Sequence, residues 1–226
     1  MPMDNAFVLD FLRRLSVNNN TAWMQAHRAD YLRARDSFAA LVAEVVRQAA
    51  PQAPELADLT PAQAMFRLHK NDRSQTDPEP YKRRFGSGLV PGGRHAQQAG
   101  YFLALSPGGH SWLRAGRFTP TPPELAAIRQ EIHYSSDEFH RRLSDTELLR
   151  HFPNGLDMSG EQLTRPPRGY AADDPELPWL KLKSFGVGQL FSDEEVLGPD
   201  FIDRVVAGIV AARPWVQFLN TALDSA

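Results

Sequence analysis

Cysteine is missing from all 226 residues, which removes disulfides, thiolate nucleophiles and every cysteine-containing zinc site together. The absence fits a reducing compartment, and the cytoplasm is the expected location. Long apolar runs are missing as well. Nothing approaches the ~20 residues that span a bilayer, and the Met-Pro-Met-Asp-Asn start has no basic stretch leading into an apolar one, as a signal peptide would. A soluble, unexported chain with no membrane partner is expected. Charge of one sign is not in excess: 25 Lys and Arg stand against 27 Asp and Glu, for a net charge of -2. That balance argues against wholesale nucleic-acid binding, which marks strongly basic domains, and leaves room only for a local basic patch.

Complete catalytic signatures are lacking too. The closest of the seven histidines, His133 and His140, are seven apart with no His-Glu-x-x-His arrangement, so no metal site is expected. Ser184 has no Gly-x-Ser-x-Gly setting. Gly86-Ser87-Gly88 and Pro91-Gly92-Gly93-Arg94 match neither a Walker nor a dinucleotide fingerprint and read as turns. Asp193, Glu194 and Glu195 read as the first turn of a helix, where the dipole favours acids, with Ser192 and Glu195 at capping-box spacing.

What is present is ample material for a core. A chain of this length buries roughly 70% of its unfolded surface, and thirteen Phe, five Tyr and four Trp supply the bulk. Phe7, Leu9, Phe11, Leu12 and Leu15 predict a short helix, which Asn18-Asn19-Asn20-Thr21 interrupts with residues able to cap the next one. From Tyr31, apolar positions 31, 34, 38, 41, 42, 45 and 46 mark one face of a longer helix, ended by Pro51 and Pro54. Short runs at Met65 to His69, Phe85 to Val90, Tyr101 to Ser106 and Ser111 to Phe118, separated by Pro and Gly, predict antiparallel strands. Pro107-Gly108-Gly109 suits a tight hairpin. Helical patterns return at 124–132, 137–143 and 146–152. Leu163 to Tyr170, with adjacent prolines, is irregular, and Leu180 to Phe191 predicts one more strand. Phe201 to Val210 gives a closing helix that Pro214 is expected to kink or split. The fold class is α+β, a central antiparallel sheet packed by N-terminal and C-terminal helices, in one domain over 1–226.

The segment with chemistry in it is Phe66 to Gly86, where Arg67, Lys70, Arg73, Lys82, Arg83 and Arg84 place six cations within eighteen residues. Guanidinium forks match carboxylate and phosphate oxygens, and lysines add point charge. Cations framed by strands suit an anion, so Arg67, Lys70, Arg73, Tyr81, Lys82 and, from the later strand, Lys183 are the candidate ligand-binding residues. Strand alternation puts Arg67 and His69 on one face and draws Arg67 towards the core; it also sets Lys181 and Lys183 side by side. Asp72 or His69 would be the nearby acid or base. The bland alternative is a solvated surface, with Asp72, Asp77 and Glu79 pairing the cations, while Arg165 and Arg168 pair with Asp173 and Asp174. Three functional readings stand: a site for a small phosphorylated or carboxylated ligand; an interaction module for an acidic protein or single-stranded nucleic acid; and a purely structural arginine cluster.

Asn18-Asn19-Asn20 with Trp23, Phe66-Arg67-Leu68, Pro80-Tyr81-Lys82, Leu163 to Tyr170, Leu182-Lys183-Ser184-Phe185 and Ser192 to Leu197 occur in an order that resembles the family known as domain of unknown function 2461, from about Phe7 to Leu223. The resemblance implies one full-length domain. It brings no activity, cofactor or catalytic residue with it, so cofactor, reaction and oligomeric state stay open. Two positions depart from the pattern: Lys70-Asn71 stands where an Arg-Asp pair is common, and Gln189 where an arginine is.

Overall fold

The computed structural model describes residues 3–70 and 79–224. Apolar positions at helical spacing bury Val8, Leu9, Phe11, Leu12 and Leu15 along α1 (Asn5–Val17). That helix begins where the Asp4 side chain accepts from the Phe7 amide, one of the donors a first turn leaves unpaired. Asn20 does the same for Trp23 at the start of α2 (Thr21–Ala26). The stripe read from Tyr31 onward becomes the buried face of α3 (Arg28–Ala49), with Ala34, Phe38, Leu41, Val42, Val45 and Val46 inside. A 3-10 turn (Pro54–Leu56) and α4 (Pro61–Ala64), opened by a Thr60/Gln63 capping box, follow.

Four strands form one antiparallel sheet in the order β1-β2-β3-β4: β1 (Phe85–Leu89), β2 (Gly100–Leu105), β3 (Ser111–Arg117) and β4 (Phe185–Phe191). The β2–β3 turn uses Gly108 and Gly109 at φ +80° and +77°, the left-handed region that glycine occupies without steric cost. Their amides donate to the two oxygens of Asp193, each at 3.0 Å. The remaining helices are α5 (Pro122–Tyr134), α6 (Ser136–Leu143), α7 (Thr146–His151), α8 (Leu177–Leu180), α9 (Asp193–Leu197) and α10 (Phe201–Leu223). The architecture is the α+β arrangement read from the sequence.

The chain divides into two compact units. The first comprises Met1–Ala96, Phe102–Leu113 and Leu190–Val206. Here α1 packs on α3, and Phe11, Tyr31, Phe38 and Phe85 form a cluster of rings 5.6 to 6.4 Å apart. The second comprises Gln97–Tyr101, Arg114–Gln189 and Ala207–Ala226. In it α5 packs on α6 and α8, and Phe139 meets the rings of Trp179, Trp215 and Phe218. No helix among the described residues is long and apolar enough to cross a membrane.

Three expectations need correction. Met65 to His69 is not a strand: Met65 bridges Ser87 and His69 bridges Tyr81 as isolated pairs, so the segment serves two partners and holds no continuous ladder. Leu180 to Ser184 is not the start of β4. Pro178 lies in the first turn of α8, where its fixed φ suits a helix, and the carbonyls of Leu180 and Leu182 accept from the Arg129 guanidinium at 2.6 and 3.2 Å instead of from a neighbouring strand. Pro214 does not split α10, which continues to Leu223; the apolar face of Trp215, Val216, Phe218 and Leu219 is buried and holds the helix past the one amide proline lacks.

Candidate functional site

The asparagine run between α1 and α2 does more than cap. Asn19 treats Tyr81 as a strand partner would: its carbonyl oxygen accepts from the Tyr81 amide at 3.1 Å, and its Nδ2 donates to the Tyr81 carbonyl at 2.9 Å and to Glu79 at 3.0 Å. On its other side Tyr81 lies in a short antiparallel pairing. The Lys70 amide donates to the Pro80 carbonyl and the Lys82 amide to the Leu68 carbonyl, both at 2.9 Å. The His69 ring stands edge-on to the Tyr81 ring at 5.3 Å. Tyr81 is thus fixed from two directions by backbone bonds.

A cavity of about 340 Å³ opens beside this pairing. One wall comes from α2 and the start of α3, with Thr21, Met24, Gln25, Arg28 and Tyr31; the other comes from Leu68, His69 and Tyr81. Tyr31 also belongs to the ring cluster of the first unit, stacked on Phe85 at 6.4 Å, so this wall is backed by core. None of the eight lining residues is an acid. Arg28 is exposed and has no ion pair among the described residues. The His69 Nδ1 lies 2.6 Å from the Lys70 carbonyl. A carbonyl only accepts, so Nδ1 is the donor in this contact.

The basic segment distributes its charge instead of focusing it. Glu79 takes both Arg83, in a two-pronged contact, and Lys70 at 4.0 Å. Lys82 turns its ammonium to the Arg67 carbonyl at 3.0 Å and lies over the Phe66 ring; burial first, and Arg84 second, hold its pKa below the usual lysine value. Arg67 is exposed, as is His69, while Leu68 between them is buried. The expected pull of Arg67 towards the core is therefore wrong: with no ladder at Phe66 to Leu68, the inward position is taken by the leucine. Arg73, Asp72 and Asp77 lie outside the described residues. Lys183 belongs to the second unit, exposed and 2.9 Å from Glu161, and it does not share a strand with Lys181.

Of the five described residues among those proposed from sequence, Tyr81 alone lines the cavity, joined by His69. The residues missed are Arg28, Tyr31, Leu68 and the three from α2. Tyr31 reads in sequence as the first apolar position of a helix, and Arg28 as an ordinary surface cation; the Asn18 to Trp23 motif was the one signal pointing to this wall.

The second unit holds its own titratable groups. His133 Nδ1 meets Asp174 at 3.0 Å and His140 Nε2 meets Glu176 at 2.9 Å, with both carboxylates nearly buried. Asp174 is thereby engaged by histidine, which corrects the expected pairing with Arg165 or Arg168. Among the described residues no three of His, Asp and Glu gather into a metal-holding group.

A family model described as Conserved hypothetical protein (DUF2461) matches residues 7–218, a stretch that runs through both units. No curated protein and no solved structure matches the chain.

Proposed function

We propose, for a chain that belongs to the conserved hypothetical protein family DUF2461, that the cavity beside Tyr81 binds a small phosphorylated or carboxylated ligand. The observation that carries this reading is the lining itself: about 340 Å³ of space, one guanidinium from Arg28, and no carboxylate among eight residues. The volume lies at the lower end of the range for small-molecule sites. An arginine at the mouth of such a cavity can offer a planar fork to an oxyanion, and the described wall residues, none of them an acid, impose no repulsion on it. The polar residues Thr21, Gln25 and His69 supply hydrogen bonds that orient the bound molecule. In this reading the chain acts as one domain in the cytoplasm, as the absence of cysteine suggests.

The neighbouring Lys70, Lys82 and Arg83 are committed to Glu79 or to backbone. Their part is to hold the Leu68 to Lys70 and Pro80 to Lys82 pairing in place. That commitment weighs against the alternative of a basic docking patch for an acidic protein or single-stranded nucleic acid, since Glu79 offsets part of the charge and Lys82 is turned to a backbone carbonyl.

Titration calorimetry of the full chain against inorganic phosphate, sugar phosphates, mono- and dicarboxylates and a short oligonucleotide is the test. Binding of a small anion that weakens about tenfold or more in Arg28→Gln is expected, the loss of a charged hydrogen-bonding partner being worth roughly 1.5–3 kcal/mol. No heat from any small anion, or an affinity untouched by Arg28→Gln, would remove the proposal.

A further inference from the structure

We infer that the occupant of this cavity is a planar aromatic monocarboxylate, a refinement that rests on the anion-site reading above. Charge sets the first limit. Arg28 is the one formally charged residue among the eight described residues that line the cavity. A single guanidinium balances a single carboxylate and binds it through two parallel bonds. A phosphate monoester, close to a dianion at neutral pH, would bring a second charge with no partner into a lining that is half hydrocarbon and ring, and an unpaired charge is costly wherever water is excluded. Sites for phosphate gather several backbone amides or a second cation. Here the nearest lysines are held elsewhere, Lys70 by Glu79 and Lys82 by the Arg67 carbonyl.

Shape sets the second limit. Tyr31 and Tyr81 present rings, and Met24 and Leu68 present apolar side chains. Both tyrosines have ring neighbours: Tyr31 has Phe11 and Phe85, and Tyr81, whose backbone is held by Asn19 and by the His69 pairing, has the His69 ring edge-on at 5.3 Å. Ring walls favour a flat occupant, because offset-stacked and edge-on ring contacts add to plain apolar burial, and thioether sulfur adds a further contact at a ring edge. Size sets the third. At the ~30 Å³ each water occupies in the liquid, the cavity has the room of about eleven waters, which suits one ring or a fused pair carrying a carboxylate.

The test uses the full chain and four probes. Indole-3-carboxylate offers ring and monoanion; cyclohexanecarboxylate keeps the charge without the ring; phenyl phosphate keeps a ring with the larger charge; inorganic phosphate has no ring. Calorimetry should show indole-3-carboxylate binding at least tenfold more tightly than the other three. Arg28→Gln should weaken it tenfold or more while leaving the unliganded melting temperature unchanged. Tyr81→Leu should erase the preference over cyclohexanecarboxylate. Tighter binding of phenyl phosphate or inorganic phosphate overturns the monocarboxylate assignment, and equal binding of cyclohexanecarboxylate overturns the aromatic one; in both cases the broader anion site stands. Silence from all four, with the wider anion panel also silent, overturns both.

Discussion

Replacing Glu124 by alanine should be among the most damaging single changes in the second unit. Its side chain is 8% exposed and that of its partner Arg117 13% exposed, with the Arg117 Nη2 at 3.0 and 2.8 Å from the two carboxylate oxygens. The same carboxylate accepts from the Thr121 amide at 2.6 Å, closing the capping box that starts α5. Glu124→Ala strips a nearly buried guanidinium of its counter-charge, and the Arg117 Nε is already buried with no hydrogen-bond partner among the described residues. Breaking a buried pair from one side costs about 3–5 kcal/mol. In a chain of this size, with ~2–4 °C lost per kcal/mol, that is a fall of roughly 6–20 °C in melting temperature. The double variant Arg117→Met/Glu124→Leu should lose less than Glu124→Ala alone, because it leaves no buried charge behind. Burial disfavours the ionised Glu124, but its bonds from Arg117 and the Thr121 amide outweigh that and hold its pKa below the usual glutamate value. A depressed carboxyl pKa contributes stability that is present above the unfolded value of ~4.3 and disappears as pH falls through the folded one. The stability gap between the native chain and Glu124→Gln, followed by urea denaturation, should therefore narrow in acid. A cost below about 1 kcal/mol for Glu124→Ala, where a buried pair should cost several, or a gap that stays constant to low pH, would refute this account.

Other changes test other parts of the molecule. Gly116 sits at φ +141°, and a Cβ there would run into the Phe185 carbonyl of β4; Gly116→Ala should cost more than ~4 kcal/mol, read by chemical denaturation, and a near-neutral result would mean that the two strands are further apart. Gly186→Ala should cost less than Gly116→Ala, since its Cβ would meet the end of the Phe118 ring, a side chain that can move, and not backbone. Asn19→Ala removes both backbone bonds to Tyr81 and, at ~1 kcal/mol each, should cost about 2 kcal/mol while weakening any ligand held against Tyr81; unchanged affinity would separate Tyr81 from the site. Glu44, bonded by Arg47 and Gln48, has its pKa lowered to about 2. Carboxyl chemical shifts should show it titrating near that value, and a midpoint near 4 would mean that those bonds do not persist in solution.

Much of the local structure is written in the sequence because its causes are local. Apolar residues at a 3.6 spacing bury one face of α1 and α3 whatever they pack on, Asn20 and Ser192 cap the helices that follow them, and Gly108 and Gly109 supply the positive φ of the β2–β3 turn. Those signals suffice for the α+β class and for the order of the elements. They fail where a residue's state depends on a distant partner. Leu180 to Ser184 has the alternation of a strand, yet Arg129, some fifty residues earlier, takes the Leu180 and Leu182 carbonyls, and the segment keeps only an isolated bridge between Leu182 and Gln162. Arg67 reads as buried because strand geometry was assumed for a segment that splits its pairing between Ser87 and Tyr81.

The cations between Arg67 and Arg84 were visible at once as a concentration of charge, but charge density is a property of the sequence and convergence is a property of space. Glu79 and a backbone carbonyl absorb Lys70, Arg83 and Lys82. The guanidinium that lines the cavity belongs to Arg28, which has no ion pair among the described residues and lies about forty residues upstream of His69. By itself the sequence determined the longer helices, the β2–β3 turn and the class of the fold. The tertiary structure alone decided which side chains share a cavity, because hydrogen bonds and ion pairs are allotted by distance, and a chain brings residues far apart in sequence to the same few ångströms only once it has folded.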